Sequence, residues 1–110
     1  MKSYWTIWVD AKSEAKTLKV YDRVISKMAV EPLDRKVEKY HKGGYKISFQ
    51  LSHSSAEWSN LIFLLLATGQ RIANQWIITG DIQQDASAWS NDVREPGVSS
   101  IHWQLQNNMA

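Results

Sequence analysis

The chain contains no cysteine, and only two prolines and five glycines occur among its 110 residues. The absence of cysteine excludes a disulfide framework, a thiolate nucleophile and a cysteine-ligated zinc site, and it fits a reducing compartment. The longest apolar run covers residues 61–67, far short of the ~20 residues that span a bilayer. Residues 4–10 show no signal-peptide stretch. We therefore expect a cytoplasmic protein that does not insert into a membrane.

Length and charge predict one domain with an uneven charge distribution. With 44% apolar residues, residues 1–110 can bury a core without further stabilisation, and residues 107–110 are expected to be a frayed tail. Residues 1–47 carry 11 Lys and Arg against 6 Asp and Glu, whereas residues 48–110 carry 2 against 5. The formal net charge of +2 is too small to imply a polyanionic partner.

Hydrophobic periodicity divides the chain into strands and two helices. Steps of three and four residues predict a helix that Ser13 caps and that ends near Pro32. Ser54 and Glu57 match a capping box at the start of a second, more buried helix. Period-two alternation predicts strands over residues 4–10, 45–51 and 101–105, and a weaker strand in residues 33–41. β-Branched residues on both faces predict a further strand over residues 76–82, and residues 83–97 are expected to be a long polar connection.

This order of elements predicts an α+β fold of the ferredoxin-like, split β-α-β type. We expect a mostly antiparallel sheet of about five strands with both helices on one face. If the helices cover the face that carries Trp5, the opposite face is left open. An open sheet face with aromatic side chains can bind a partner. The residues expected on it are Tyr4, Trp8, Lys46 and Gln50.

The sequence contains no recognisable catalytic or metal-binding motif. His41, His53 and His102 are scattered, without a His-x-x-x-His spacing. No Gly-x-Ser-x-Gly elbow occurs, and the only adjacent glycines precede a predicted strand rather than a helix. We therefore expect no enzyme activity, no cofactor and no metal, although an enzyme that uses His53 or His102 remains an open alternative.

An acidic stretch with one tryptophan is the predicted partner-binding site. Residues 81–95 contain four carboxylates and one basic residue, Arg94. Of the six tryptophans, Trp5, Trp58, Trp76 and Trp103 fit core positions, whereas Trp8 and Trp89 do not. Large aromatic residues outside the core favour an interface, although a solvated loop is the plainer alternative. The predicted site residues are Asp81, Asp85, Trp89, Asp92 and Glu95.

The chain resembles the small immunity proteins that accompany contact-dependent growth inhibition and polymorphic toxin systems in bacteria. The resemblance lies in its size, its lack of cysteine, its many tryptophans, its α+β layout and the acidic loop 80–95 that precedes Gly97 and strand 101–105. It implies a non-catalytic protein that neutralises a toxin domain, often a nuclease, by tight one-to-one binding. Acidic and aromatic residues would then block the nucleic-acid cleft of the toxin.

A nucleic-acid-binding or homodimeric regulatory module with RNA-recognition-like topology is the alternative. Residues 42–49 begin with Lys-Gly and end with Phe, as the octamer of the RNA recognition motif does. Gly44 and Lys46, however, occupy the positions where aromatic rings should stack on bases. The basic first part of the chain keeps this alternative open.

Overall fold

The computed structural model of the chain describes residues 1–54 and 57–106, which form eight strands and two helices. The predicted frayed tail, 107–110, lies outside the described residues. The helices are Glu14–Met28 (α1) and Trp58–Gly69 (α2), and the strands are Lys2–Val9 (β1), Leu33–Lys39 (β2), Tyr45–Ser52 (β3), Ala73–Asn74 (β4), Ile77–Asp81 (β5), Asp85–Ser90 (β6), Asp92–Val93 (β7) and Val98–Gln106 (β8).

Six of the described strands form one antiparallel sheet in the order β2-β3-β1-β8-β6-β5. The short strands β4 and β7 pair separately. The α+β class is therefore confirmed, but the sheet has six strands rather than the expected five. The expected ferredoxin-like topology also does not include β6 and β5, which extend the sheet beyond β8.

The core lies between one face of this sheet and the two helices. Along β1 every second residue is buried, and these residues are Ser3, Trp5, Ile7 and Val9. Tyr21 of α1 packs its ring edge against Phe49 of β3, with the ring centroids 5.7 Å apart. Leu65 of α2 is fully buried in the same core cluster. No helix within the described residues is long and apolar enough to cross a membrane.

The two helices begin differently from each other. The Ser13 side chain accepts a hydrogen bond from the Lys16 amide, which confirms the predicted cap of α1. The predicted capping box of α2 is wrong: the helix begins at Trp58, and Glu57 is its N-cap. Within the described residues the Glu57 side chain makes no capping bond to the helix backbone, and its carboxylate accepts instead from the Asn60 side chain at 3.3 Å. The indole of Trp58 donates instead to the carbonyl of Ile82, 2.5 Å away. A tertiary contact therefore holds the start of α2.

The predicted polar connection over residues 83–97 is wrong, because it contains β6 and β7. Ala86, Ala88 and Ser90 of β6 are fully buried. Ala88 lies directly opposite Trp103, which in turn pairs with Trp5 on β1. Two indoles side by side on the core face leave room only for small residues on the next strand. Small residues have weak strand propensity, so this strand is poorly marked in the sequence.

Candidate partner-binding surface

One face of the six-stranded sheet lies opposite the core, and we call it the open face. Along β1, β3, β6 and β8 its side chains alternate with the buried ones, and the pairing register extends the same face onto β2 and β5. The buried side chains of both described helices belong to the core on the other side. The open face consists of Lys36 and Glu38 (β2), Lys46, Ser48 and Gln50 (β3), Tyr4, Thr6 and Trp8 (β1), Ser100, His102 and Gln104 (β8), Asp85, Ser87 and Trp89 (β6), and Ile77, Thr79 and Asp81 (β5).

Three of the five predicted site residues lie together on the open face, in the β5–β6 hairpin. Asp81 and Asp85 are directly opposite each other, and both are exposed. Trp89 is four residues further along β6, roughly 13 Å from Asp85 at the usual strand rise. The half-buried Trp89 lies between Ile77 on one neighbouring strand and His102 on the other.

Hydrogen bonds hold the two aspartates of this hairpin in place. One carboxylate oxygen of Asp81 accepts a bond from the Gln83 amide at 3.0 Å, as in an Asx turn. The Asp85 carboxylate accepts a bond from the Gln104 amide group at 3.5 Å. Like charges directly opposite each other on a sheet are unfavourable. A pair that is kept exposed in this arrangement is available to a cationic partner.

The other two predicted residues lie elsewhere. Asp92 is exposed in β7, where it pairs with Asn74 of β4 rather than with the six-stranded sheet. Glu95 is only 2% exposed, and its carboxylate binds Arg23 and Lys27 of α1. The structure therefore places Glu95 in the packing between α1 and the segment before β8, away from the open face.

The ion pairs of Glu95 determine its charge state. Burial alone would raise the pKa of this carboxyl group. Hydrogen bonds from Lys27 and Arg23, together with their positive charges, more than offset the burial, so the pKa is lowered. The Arg23 Nε atom lies 2.6 Å from the carboxylate. Glu95 is therefore ionised at neutral pH and is neutralised by the protein itself.

The half of the open face nearer β2 carries aromatic and basic side chains. Tyr4 and Trp8 of β1 lie there, as the sequence predicts, and Lys46 is directly opposite Trp8. The Trp8 ring meets the Tyr40 ring edge-on, with the centroids 6.4 Å apart. These rings and Lys42 line a depression of about 500 Å³. Tyr40 was not predicted on this surface, and the available signal was its place three residues before Gly43, at the start of the predicted turn.

His102 lies near the middle of the open face. Partial burial lowers the pKa of its imidazole below the ordinary value of 6.5. The side chain is therefore neutral at physiological pH and adds no charge between the basic and acidic halves of the face. Its register neighbours are Thr6 on β1 and Trp89 on β6.

Comparison with known proteins leaves the surface as the main guide to function. No protein-family model, no curated protein and no solved structure matches the chain. In residues 1–54 and 57–106, no three His, Asp or Glu side chains are grouped closely enough to hold a metal ion.

The six tryptophans divide between the core and the open face. Trp5 and Trp103 are buried, while Trp58 and Trp76 are half-buried against the core. Trp8 and Trp89 remain as the two indoles of the open face.

Proposed function

We propose that this protein is a non-catalytic binding protein that neutralises a bacterial toxin domain, such as a nuclease, by tight one-to-one binding. The observation that carries the proposal is the placement of Asp81, Asp85 and Trp89 on one face of the β5–β6 hairpin. The resemblance to immunity proteins supplies the class of partner. The proposed contact surface is the open face, and it does not include Glu95.

The hairpin combines an anchor with a steering charge. Trp89 offers a large, rigid ring beside Ile77, whose side chain is 47% exposed. Tryptophans of this kind are enriched among the residues that contribute most to binding energy. Asp81 and Asp85 lie at the outer end of the same face and would accelerate association with a basic nuclease cleft. An anchoring ring and two carboxylates on one hairpin together suit a protein that blocks a positively charged site.

The topology fits a split β-α-β domain with an insertion. Taken alone, β1, α1, β2, β3, α2 and β8 follow one another in a ferredoxin-like sequence, and their strands lie in the order β2-β3-β1-β8. We propose that the β5–β6 hairpin is inserted between α2 and β8, and that it carries the binding site. We also propose that the protein acts in the cytoplasm, where a nuclease toxin would reach its substrate.

A pull-down from the native organism tests the proposal. Tagged protein is used as bait, and any stoichiometric partner is identified by mass spectrometry. Recovery of a toxin domain in a one-to-one complex, with loss of toxin activity in that complex, would support neutralisation. Recovery of nucleic acid, or of a protein whose activity is unchanged in the complex, would contradict it.

Matched tryptophan variants locate the contact once the partner is in hand. Trp89→Ala is expected to weaken binding by about 2 kcal/mol or more if this ring is the anchor. Trp8→Ala removes an indole of the same open face from its basic half and is expected to cost much less. Replacing Asp81 and Asp85 by Asn should slow association, chiefly at low salt. Equal losses of binding free energy for Trp8→Ala and Trp89→Ala would indicate that the partner contacts the whole open face.

Nucleic-acid binding is the second candidate, and the basic half of the open face favours it. Tyr4 and Trp8 lie on the central strand β1, and Lys46 lies on the neighbouring strand β3. The edge strand β2, next to β3, contributes Lys36. Base stacking on aromatic rings next to lysines is a common mode of single-strand binding. This function predicts that affinity for a single-stranded oligonucleotide falls steeply with salt, and that Trp8→Ala weakens it more than Trp89→Ala. Lack of binding at low salt would exclude it.

A further inference from the structure

Strand β5 forms an edge of the six-stranded sheet that carries little protection. Among the described strands it pairs with β6 only, and all five of its residues are exposed. Ile77 and Ile78 are 47% and 44% exposed, and the strand carries no charge before Asp81 at its end. An exposed, apolar edge strand pairs readily with another strand, because its free backbone groups need partners.

The opposite edge, β2, has features that discourage such pairing. It is densely charged, and its register against β3 is interrupted between Leu33 and Lys36. Asp34 has a positive φ of 52° at this irregularity. Charged side chains and bulges are common means of protecting an edge strand. The charged residues of β2 are Asp34, Arg35, Lys36, Glu38 and Lys39.

Helix α2 runs alongside β5 and extends its apolar surface. At one end Trp58 donates a hydrogen bond to Ile82, and at the other Gly69 lies against the ring of Trp76, just before β5. Twelve helical residues and five strand residues both span roughly 17 to 18 Å, so the two elements match in length. No residue of α2 is charged.

One flank of α2 faces outward beside this edge. Leu64 and Thr68 line a cavity together with Met28, so that flank of α2 faces α1. Leu66 points to the other flank, and Phe63 lies between that flank and the side of α2 that faces away from the core, because successive helical residues are about 100° apart. Phe63 is 73% exposed, the highest value among the large apolar side chains of the described residues. The apolar edge therefore includes Ile78, Ile82, Phe63 and Leu66.

We propose that two copies of this chain associate through β5, which pairs antiparallel with β5 of the second copy. A two-fold axis at Thr79 places Ile78 opposite Gly80 of the second copy, where the missing side chain leaves room. Cross-strand neighbours on one face of a sheet stabilise such a pair. The two α2 helices then lie next to each other on the same side of a continuous sheet, and Phe63 and Leu66 pack between them.

A second copy fits this edge because the edge is self-complementary. In a two-fold interface each surface meets itself, so a charged surface would repel its copy, whereas an uncharged apolar one is buried favourably. Asp81 is the only charge on β5, and the symmetry separates the two Asp81 residues by roughly 14 Å along the strands. The open face, including Trp89, remains free in this dimer.

Measurement of molar mass tests the interface. The protein is expected to behave as a dimer by light scattering and sedimentation, with mass falling on dilution. Ile78→Lys and Phe63→Glu are each expected to raise the dimer dissociation constant at least about tenfold. Leu64→Glu is the matched control, since Leu64 is 48% exposed on the other flank of the same helix. Circular dichroism and thermal unfolding check that each variant is folded.

Two outcomes would overturn the proposal. One is a parent protein that stays monomeric at about 100 μM, where even a weak dimer of this kind should form. The other is a dimer that Leu64→Glu dissociates while folded Phe63→Glu and Ile78→Lys leave it intact. Neither outcome bears on toxin binding, which the pull-down tests separately.

A single introduced cysteine tests the register independently. The chain has no cysteine of its own, so any disulfide reports the new residue. Residues opposite each other in an antiparallel pair have Cα atoms about 4.5 to 5.5 Å apart, within the range of a disulfide. Thr79→Cys, at the two-fold axis, is expected to cross-link rapidly under mild oxidation. Lys36→Cys, on the opposite edge, is the control, and equal cross-linking of both would contradict the pairing.

Discussion

The Nε atom of Arg23 lies 2.6 Å from a carboxylate oxygen of Glu95, and this contact joins residues that are 72 positions apart in the chain. Lys27, one helical turn further along α1, binds the other oxygen. The two cationic side chains are about half exposed, whereas the Glu95 side chain is 1% exposed. These two ion pairs link α1 to the segment that leads into β8. Glu95, at the end of the predicted acidic loop, therefore has a structural role.

Replacing Glu95 by Gln should destabilise the fold by about 2 kcal/mol, because the neutral amide keeps one acceptor oxygen and places an NH2 donor against the second cation. Urea denaturation measures the change in the free energy of unfolding. Glu38→Gln is the control: its pair with Lys36 is exposed at 3.6 Å, so its loss should change little. Equal effects of the two substitutions would contradict the structural role of Glu95.

Acidification from pH 7.5 to about 5.5 should lower stability through two histidines. Burial lowers the pKa of both His102 and His53 below 6.5, and the charged N-terminus lowers that of His53 further. In this window the unfolded chain binds more protons than the folded one, so stability falls as pH falls. The midpoint of urea unfolding, measured at several pH values in this range, reports the loss of stability. In the double variant His53→Gln and His102→Gln the midpoint should depend less on pH. An unchanged dependence on pH would refute the explanation.

Glu95 should produce a separate loss of stability at lower pH. Its folded-state pKa is depressed below the ordinary value of 4.5, so the stability that it contributes is present above 4.5. That stability is lost as pH falls through the folded-state pKa. The free energy of unfolding of Glu95→Gln, measured by urea denaturation, should therefore depend less on pH below 4.5 than that of the parent. Parallel curves in this range would contradict the assignment.

Ser3→Ala should destabilise the protein by about 1 to 3 kcal/mol, since it removes the acceptor of a buried donor. The Ser3 hydroxyl is fully buried, accepts a hydrogen bond from the Trp5 indole at 2.9 Å, and lies 2.7 Å from the His53 ring. Thermal unfolding measures the change. Ser99→Ala, at an exposed hydroxyl, is the control and should be nearly neutral. A neutral Ser3→Ala would mean that the indole finds another acceptor.

Gly69→Ala should destabilise the fold by about 1 to 3 kcal/mol despite the higher helix propensity of alanine. A Cβ atom at this position would lie 2.6 Å from Cζ2 of Trp76. A double-mutant cycle with Trp76→Ala separates the clash from propensity, because Gly69→Ala should cost less once the ring is gone. Additive effects of the two substitutions would contradict the close packing of the ring on Gly69.

The elements with strong periodicity were predictable from the sequence. Helix α1 has a polar surface and a regular apolar stripe, and the Ser13 cap marks its start, so local signals agree. Strand β3 alternates clearly after a turn in which Gly44 has a positive φ of 72°. Tyr4 and Trp8 were predicted on the open face because strand side chains alternate strictly between two faces.

Strand β6 and the place of Glu95 could not be predicted in this way. The alanines of β6 have little strand propensity of their own, and they are buried because Trp103 occupies the neighbouring strand. The burial of Glu95 depends on two cations from a helix far away in the chain. Neither effect leaves a local pattern in the sequence, because each depends on side chains from an element that is distant in the chain.

The composition and the hydrophobic periodicity of the sequence by themselves determined the α+β class and the absence of a disulfide framework. They also determined the alternation that puts aromatic residues on an open sheet face. Those properties follow from residue type and from neighbours a few positions apart. Tertiary structure alone decided the sixth strand, the grouping of Asp81, Asp85 and Trp89 on one hairpin face, and the exposed edge of β5. Strand pairing over long sequence separations sets these features, and it is governed by side-chain packing across the sheet rather than by local propensity.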